Sequence, residues 1–324
     1  MNMQGSLPRK YLAYPPAQPD ASVLGRARYA IRGFLLWPIY WYRAYKLNTP
    51  GLKFRKYFLW RGISLLLRRL DVRSAYRLIV MPLDSVRYFE FDFMWACVTR
   101  AEVSSYLDVS SPRLFPLMVV DRHARVTADI VNPDTRDLRE TVAFAQKLGI
   151  DGRCRFHADL IDDLQMEPGS CQLITSMSVI EHISDDRAAI QKMWELLAPG
   201  GKLLITLPCA REAYEEYINQ NDYELNLADE KGFVFFQRYY DQQLLKDKVF
   251  GITGAPATFQ IYGERQAGTY FRTEEEKRAN ASYPYWRAPY DTGVQYRYYD
   301  RLSELEGIGV IALEFVKPVG RPGE

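Results

Sequence analysis

The stretch from residue 171 to 208 restricts the fold more than any other. Gln172–Ser176 is a short apolar run with the length and bounds of a buried strand. Ser184, Asp185 and Asp186 then offer cap oxygens and negative charge to a helix start. Ile190, Met193, Trp194 and Leu197 follow at spacings of three and four, a helical stripe. Pro199-Gly200-Gly201 ends that helix and turns the chain, and Lys202–Leu207 reads as a second buried strand. Strand, helix and strand in so short a span make a βαβ unit with parallel strands. Ligands of such sheets sit at the carboxyl ends of the strands, here Ser176–His182 and the chain after Pro208.

The preceding residues repeat the alternation. Tyr88–Trp95 reads as a helix, Ser104–Val109 as the first strand and Ser111–Asp121 as a short helix with Pro112 at its start. Val126–Ile130 is a second strand. Asn132-Pro133-Asp134 caps a helix carrying Leu138, Val142, Ala145 and Leu148 and ending at Gly149, and Arg153–His157 is a third strand. After Pro208, Phe235–Phe250 reads as a helix, with Arg238, Tyr239 and Tyr240 at its start. Ala257–Tyr262 and Ile308–Val316 read as strands, and Thr273 with Glu276 carries a capping-box signature. The sum is a doubly wound, mostly parallel α/β sheet with helices on both faces.

Residues 1–84 differ in character. Residues 1–80 hold 15 Lys and Arg against two Asp, whereas the whole chain is nearly balanced at +2. Such asymmetry suits either an acidic partner or packing of the basic segment on its own acidic domain. Residues 1–25 read as a loose, proline-containing arm without a signal peptide. Between Arg32 and Arg43 runs an apolar and aromatic stretch too short to span a bilayer and interrupted by Pro38. Trp37, Tyr40, Trp41 and Tyr42 beside arginines suit an interface, so residues 26–46 are expected to make peripheral contact with an anionic membrane. Residues 57–80 continue helical and basic, with no nucleic-acid motif, and no nucleic acid is expected. Cys97, Cys154, Cys171 and Cys209 lack metal or redox spacing and read as reduced core thiols of a cytoplasmic protein. No pattern sets an oligomeric state.

Asp108, Asp129 and Asp159 fall at or just after the first three strand ends, where a doubly wound sheet binds a nucleoside. Asp129 suits ribose hydroxyls and Asp159 an adenine amino group; each is also a good helix cap. With Phe156–Leu160, Cys171–Ser176, Ser178–Ile183 and Leu196-Leu197-Ala198-Pro199-Gly200-Gly201-Lys202-Leu203, residues 103–208 resemble the class I S-adenosylmethionine-dependent methyltransferases. The resemblance implies a Rossmann-like, seven-stranded sheet with an antiparallel last strand over residues 85–324, following the basic helical extension 1–84. It implies S-adenosyl-L-methionine as cofactor, held by Asp108, Ser110, Ser111, Asp129, Asp159, Leu160, Ser176, Met177 and Ser178.

One loop departs from the family. Asp108-Val109-Ser110-Ser111-Pro112-Arg113-Leu114 has none of the usual glycines, which permit positive φ and close approach to a ligand. Arg113 is a candidate partner for the methionine carboxylate. His182 is the candidate general base. The Glu-x-x-Glu-His metal pattern of some relatives is incomplete at Ser178–His182, so no metal is expected. Arg238 and Tyr239 are expected at the acceptor, beneath a lid or substrate segment spanning 263–306. The expected activity is methyl transfer, at oxygen, to a small-molecule, glycan- or lipid-linked acceptor. The rival is a catalytically inactive module of the same fold that binds a partner or membrane. A nicotinamide-dependent oxidoreductase is disfavoured, because the glycine fingerprint is absent.

Overall fold

The computed structural model describes residues 7–16, 22–69, 71–99, 103–221 and 227–319. Among the described residues eleven strands and eleven α-helices follow in chain order. They begin with β1 (Arg9–Leu12), α1 (Val23–Lys46), α2 (Phe54–Arg69), α3 (Val72–Val80) and α4 (Arg87–Val98). The alternating part comprises β2 (Ser105–Val109), α5 (Leu114–Arg122), β3 (Thr127–Val131), α6 (Thr135–Leu148), β4 (Cys154–His157), β5 (Cys171–Met177), α7 (Asp186–Leu196) and β6 (Leu197–Cys209). Then come β7 (Tyr214–Ile218), β8 (Val234–Tyr239), α8 (Gln242–Leu245), α9 (Gly251–Thr253), β9 (Thr258–Glu264), α10 (Thr269–Ala279), α11 (Ala288–Gln295), β10 (Tyr296–Tyr299) and β11 (Gly309–Val316).

The main sheet runs β10-β9-β11-β6-β5-β2-β3-β4. Strands β2 to β6 are parallel, and β11 is antiparallel to both β6 and β9. The sheet has eight strands where the resemblance implied seven, because β10 adds an antiparallel edge to β9. Near the start of β6 Gly200 has a φ of 76°, which favours glycine, and its N–H donates to the Lys317 carbonyl. Gly149 closes α6 in the left-handed conformation, as its position after the last apolar residue predicts. Two cores result, one on each face of the sheet. Phe89, Phe91, Met94, Tyr106 and Phe115 lie on one side, and Leu107, Ile174, Ile190, Met193 and Ile205 on the other.

Three local readings are corrected. Val234–Tyr239 is a strand rather than a helix start, because its aromatic side chains pair across β7: Tyr239 stacks on Tyr214 with ring centroids 4.5 Å apart. Helix begins only at Gln242, capped by Asp241. Within the arm, Arg9–Leu12 is a strand parallel to β7, held through main-chain groups that leave no apolar period to read. Thr273 and Glu276 lie inside α10 rather than at its start.

The basic extension packs on the α/β part. Tyr57 and Arg61 of α2 both donate to Asp121 at the end of α5, at 2.7 Å each. Gly33 of α1 meets Tyr76 and Trp286 so closely that a Cβ would clash, and Tyr29 donates to the Tyr283 carbonyl. The segment 263–306 is therefore clamped under α1 and tied to Asp84 through Lys277, at 2.6 Å.

Candidate functional site

A cavity of about 1120 Å³ opens over the carboxyl ends of β2, β3, β4 and β5. Its floor is Val109–Leu114, Val131–Asp134, Leu160–Asp162 and Met177–Val179, and its far wall is Arg87, His182 and α3 with the Met81–Asp84 turn. The α/β topology gathers these segments because every parallel strand ends on the same side.

The glycine-free loop adopts the shape that glycine usually supplies. Ser110 has φ 52° and Ser178 φ 48°, both left-handed, at the ends of β2 and β5. Such a conformation costs a non-glycine residue about 1–2 kcal/mol and persists only where the surroundings enforce it. Asp108 does the enforcing at the first loop. It is fully buried and accepts from Thr175 Oγ1 (2.6 Å), Tyr106 Oη (3.1 Å) and the Ser111 N–H (3.1 Å). Ser111 Oγ in turn accepts from the Met177 N–H, which ties the two loops together. Burial pushes the Asp108 carboxyl up to about 6, moderated by those hydrogen bonds.

At the second loop the enforcer is Glu90 of α4. Buried at 0 % exposure, it accepts from Ser178 Oγ, Thr206 Oγ1 (2.6 Å) and Arg87 (2.7 Å). The Ser178 N–H also donates to Thr206, to its carbonyl at 3.1 Å and its hydroxyl at 3.0 Å. Sequence reasoning missed Glu90 and Arg87; the available signal was two carboxylates, Glu90 and Asp92, amid the aromatic residues of Tyr88–Trp95.

Of the residues expected at the site, Ser110, Ser111, Leu160, Met177, Ser178 and His182 line the cavity. Asp108 lies beneath the loop it shapes, and Ser176 is buried with its hydroxyl on the Val109 carbonyl. Asp129 does not reach the cavity. It sits one pleat below Val131, bound by Arg155 (Nε, 2.7 Å) and His157 (2.8 Å). Burial alone would raise its carboxyl, yet these two partners draw it below the usual range. Asp159 is exposed and off the cavity, where Asp162 stands instead, its carboxyl raised by burial and by Asp185 and Asp163. Past β3 the lining includes Asn132, which donates to Asp137 at 3.0 Å, and Asp137 itself. Arg113 pairs with Asp137 and Glu140, so it is already engaged rather than held out for a ligand carboxylate.

Arg238 and Tyr239 also lie off the cavity. Arg238 bridges Asp186 (2.7 Å) and Glu215 (3.0 Å), and Tyr239 is stacked on Tyr214. They are buried because their segment is a strand, whose alternate side chains face the neighbouring elements.

His182 places Nδ1 2.6 Å from the Phe236 carbonyl. A carbonyl only accepts, so Nδ1 carries the proton in the neutral ring. Burial lowers the ring to about 4, which keeps it neutral at physiological pH. Glu181 is its neighbour, with 3.9 Å between Nε2 and Oε1; burial raises its carboxyl to about 8, and Oε2 has no hydrogen-bond partner. From its ordinary 4.5 to about 8 the unfolded chain releases this proton first, so stability present below 4.5 is lost as pH rises through about 8. Glu181→Gln keeps the shape without the ionisation. Its melting temperature should exceed that of the parent by several degrees at pH 8.5 and match it at pH 4 in a thermal scan; equal curves at pH 8.5 would remove the assignment.

Among the described residues no cluster of three or more His, Cys, Asp or Glu is arranged to hold a metal ion.

The floor fits a nucleoside cofactor. Two left-handed serines keep the backbone low at β2 and β5, and polar side chains follow β3 and β4. A family model described as a methyltransferase domain matches residues 101–247. A ubiquinone biosynthesis O-methyltransferase of Xanthomonas euvesicatoria is 28 % identical over 110 residues, covering 32 % of this chain and 46 % of that one. The chain thus spans about half the length of that curated relative. Among solved structures, the [4+2]-cyclase SpnF is 17 % identical with a TM-score of 0.47, over 72 % of this chain and 82 % of that one. A geranyl diphosphate C-methyltransferase from Streptomyces coelicolor is 10 % identical with a TM-score of 0.48, over 76 % and 78 % respectively. At that overlap neither bears on what this chain acts on. Residues 101–247 thus match the model of a methyltransferase domain, and that segment carries the parallel strands β2 to β6 and most of the cavity floor at their carboxyl ends.

Proposed function

We propose that the protein transfers a methyl group to an oxygen of a small-molecule, glycan- or lipid-linked acceptor. The cavity carries this reading. Binding pockets for small molecules typically hold about 300–1,000 Å³, and this one, at about 1120 Å³, has room for cofactor and acceptor side by side. S-adenosylmethionine, when bound, supplies an already electrophilic sulfonium methyl. The protein's task is then chiefly to hold the nucleophile in line with it.

In this reading Ser110, Ser111, Leu160, Met177 and Ser178 cradle the cofactor with Asn132, Asp137 and Asp162, while Asp108 and Glu90 fix the two loops. Residues 85–324 form the catalytic domain. The extension 1–84 walls the acceptor side through α3 and the Met81–Asp84 turn, and the segment 263–306 braces that wall through Lys277. His182 is the candidate base. Its neutral ring, oriented by Phe236, suits a hydroxyl that gives up its proton only as the methyl arrives.

Calorimetric titration with S-adenosylmethionine should give saturable heat and a raised melting temperature. Absence of both at about millimolar cofactor would leave the inactive-module alternative standing. Binding with no transfer to any hydroxyl acceptor would confine the failure to the reaction.

A further inference from the structure

We infer that α1 and α2 together form a docking face for an anionic lipid surface. The inference is independent of methyl transfer. α1 exposes Leu24, Ile31, Leu35, Ile39, Tyr42 and Tyr45, which recur every three to seven residues along one side of the helix. Leu35 is 65 % exposed. α2 exposes Trp60 (68 %), Ile63 and Leu67 (76 %), again at spacings of three and four. The two helices meet where the Arg55 guanidinium lies 4.3 Å from the Trp37 ring centroid. The opposite side of α1 is already occupied by α11 and Trp286, and that of α2 by Asp121 and α3, so the apolar side faces outward by construction. Single exposed apolar residues are ordinary, but aligned rows of this extent mark an interaction surface.

Charge identifies the occupant. Neither helix contains an Asp or Glu. Arg26, Arg28, Arg32, Lys46, Lys56, Arg68 and Arg69 are exposed and make no carboxylate pair among the described residues. Aliphatic, Trp and Tyr side chains mixed with unpaired basic groups are the composition of a helix lying in the headgroup layer of an anionic leaflet. Among the described residues no helix is long and apolar enough to cross a membrane, so the contact would be parallel to the surface. α3 packs on the side of α2 away from this face and itself lines the cavity.

The test is co-sedimentation of the full chain with phosphatidylcholine vesicles, with and without phosphatidylglycerol. Pelleting should require the anionic lipid and weaken steeply with added salt. Leu35→Glu combined with Trp60→Glu should reduce it about tenfold, while thermal unfolding stays unchanged because both side chains are exposed. Equal pelleting on neutral and anionic vesicles, or pelleting untouched by the double substitution, would overturn the inference. So would a concentration-dependent dimer that Leu35→Glu dissolves, which would give the face to a second copy. The salt dependence of the unmodified chain keeps the test decisive if the double variant misfolds.

Discussion

Asp108→Ala should weaken S-adenosylmethionine binding at least tenfold and lower the unfolding free energy by about 3–5 kcal/mol. Three donors now converge on this carboxylate: Thr175 Oγ1, Tyr106 Oη and the Ser111 N–H. Each buried donor left without a partner costs about 1–3 kcal/mol, and the 0 % exposure of Asp108 denies them water. The larger consequence is conformational. Ser110 holds a φ of 52° although a serine relaxes readily to negative φ. Its hydroxyl and N–H on the Val131 carbonyl hold one end of the turn, and Asp108 holds the other. Without the carboxylate the turn loses its anchor, and Pro112 supplies no N–H to rebuild it. Calorimetry and denaturant unfolding read the two effects separately. Asp108→Asn, which keeps an acceptor, should recover part of both. Unchanged cofactor affinity in Asp108→Ala would mean that the loop keeps its shape by other means.

Glu90→Ala should be comparably costly, about 3–5 kcal/mol in denaturant unfolding, with a loss of methyl transfer beyond what instability explains. The Glu90 carboxylate is the shared acceptor of Ser178, Thr206 and Arg87. Removing it leaves a guanidinium at the cavity wall without its 2.7 Å partner and frees the second left-handed serine. Glu90→Gln is expected to fall between the two, because its amide retains one acceptor oxygen but donates where Arg87 also donates. A stability loss below about 1 kcal/mol would show that water replaces the carboxylate, and the assignment of Glu90 as a buried hub would be wrong.

The two hubs differ in how far the sequence exposes them. Asp108 is the one charged residue near the end of an apolar strand, just before a loop, so its importance is visible from position alone. Its role is not: it was expected to face the cofactor, and it faces its own loop. Asp129 shows the same limit. Its place in β3 is legible to within a residue, but Arg155, whose side chain lies opposite it on β4, belongs to a neighbouring strand in register, and register is a tertiary fact. Arg238 and Tyr239 lie off the cavity for a third reason. An aromatic run such as Phe235–Tyr240 has no period, and only the partner strand β7 selects the extended form.

What the sequence by itself determined is the parallel α/β frame from residue 103 to 208, because hydrophobic period, caps and glycine stops are local and act within a few residues of the chain. It also determined the basic, aromatic character of residues 26–46. The tertiary structure alone decided which polar side chains face the cavity and which are consumed beneath it, because that depends on side chains from α4, β3, β4 and β5 meeting across the sheet. It likewise decided that glycine was dispensable after β2. A positive φ is a cost to serine, and Asp108 and Val131, both outside the local turn preference, are what offset it.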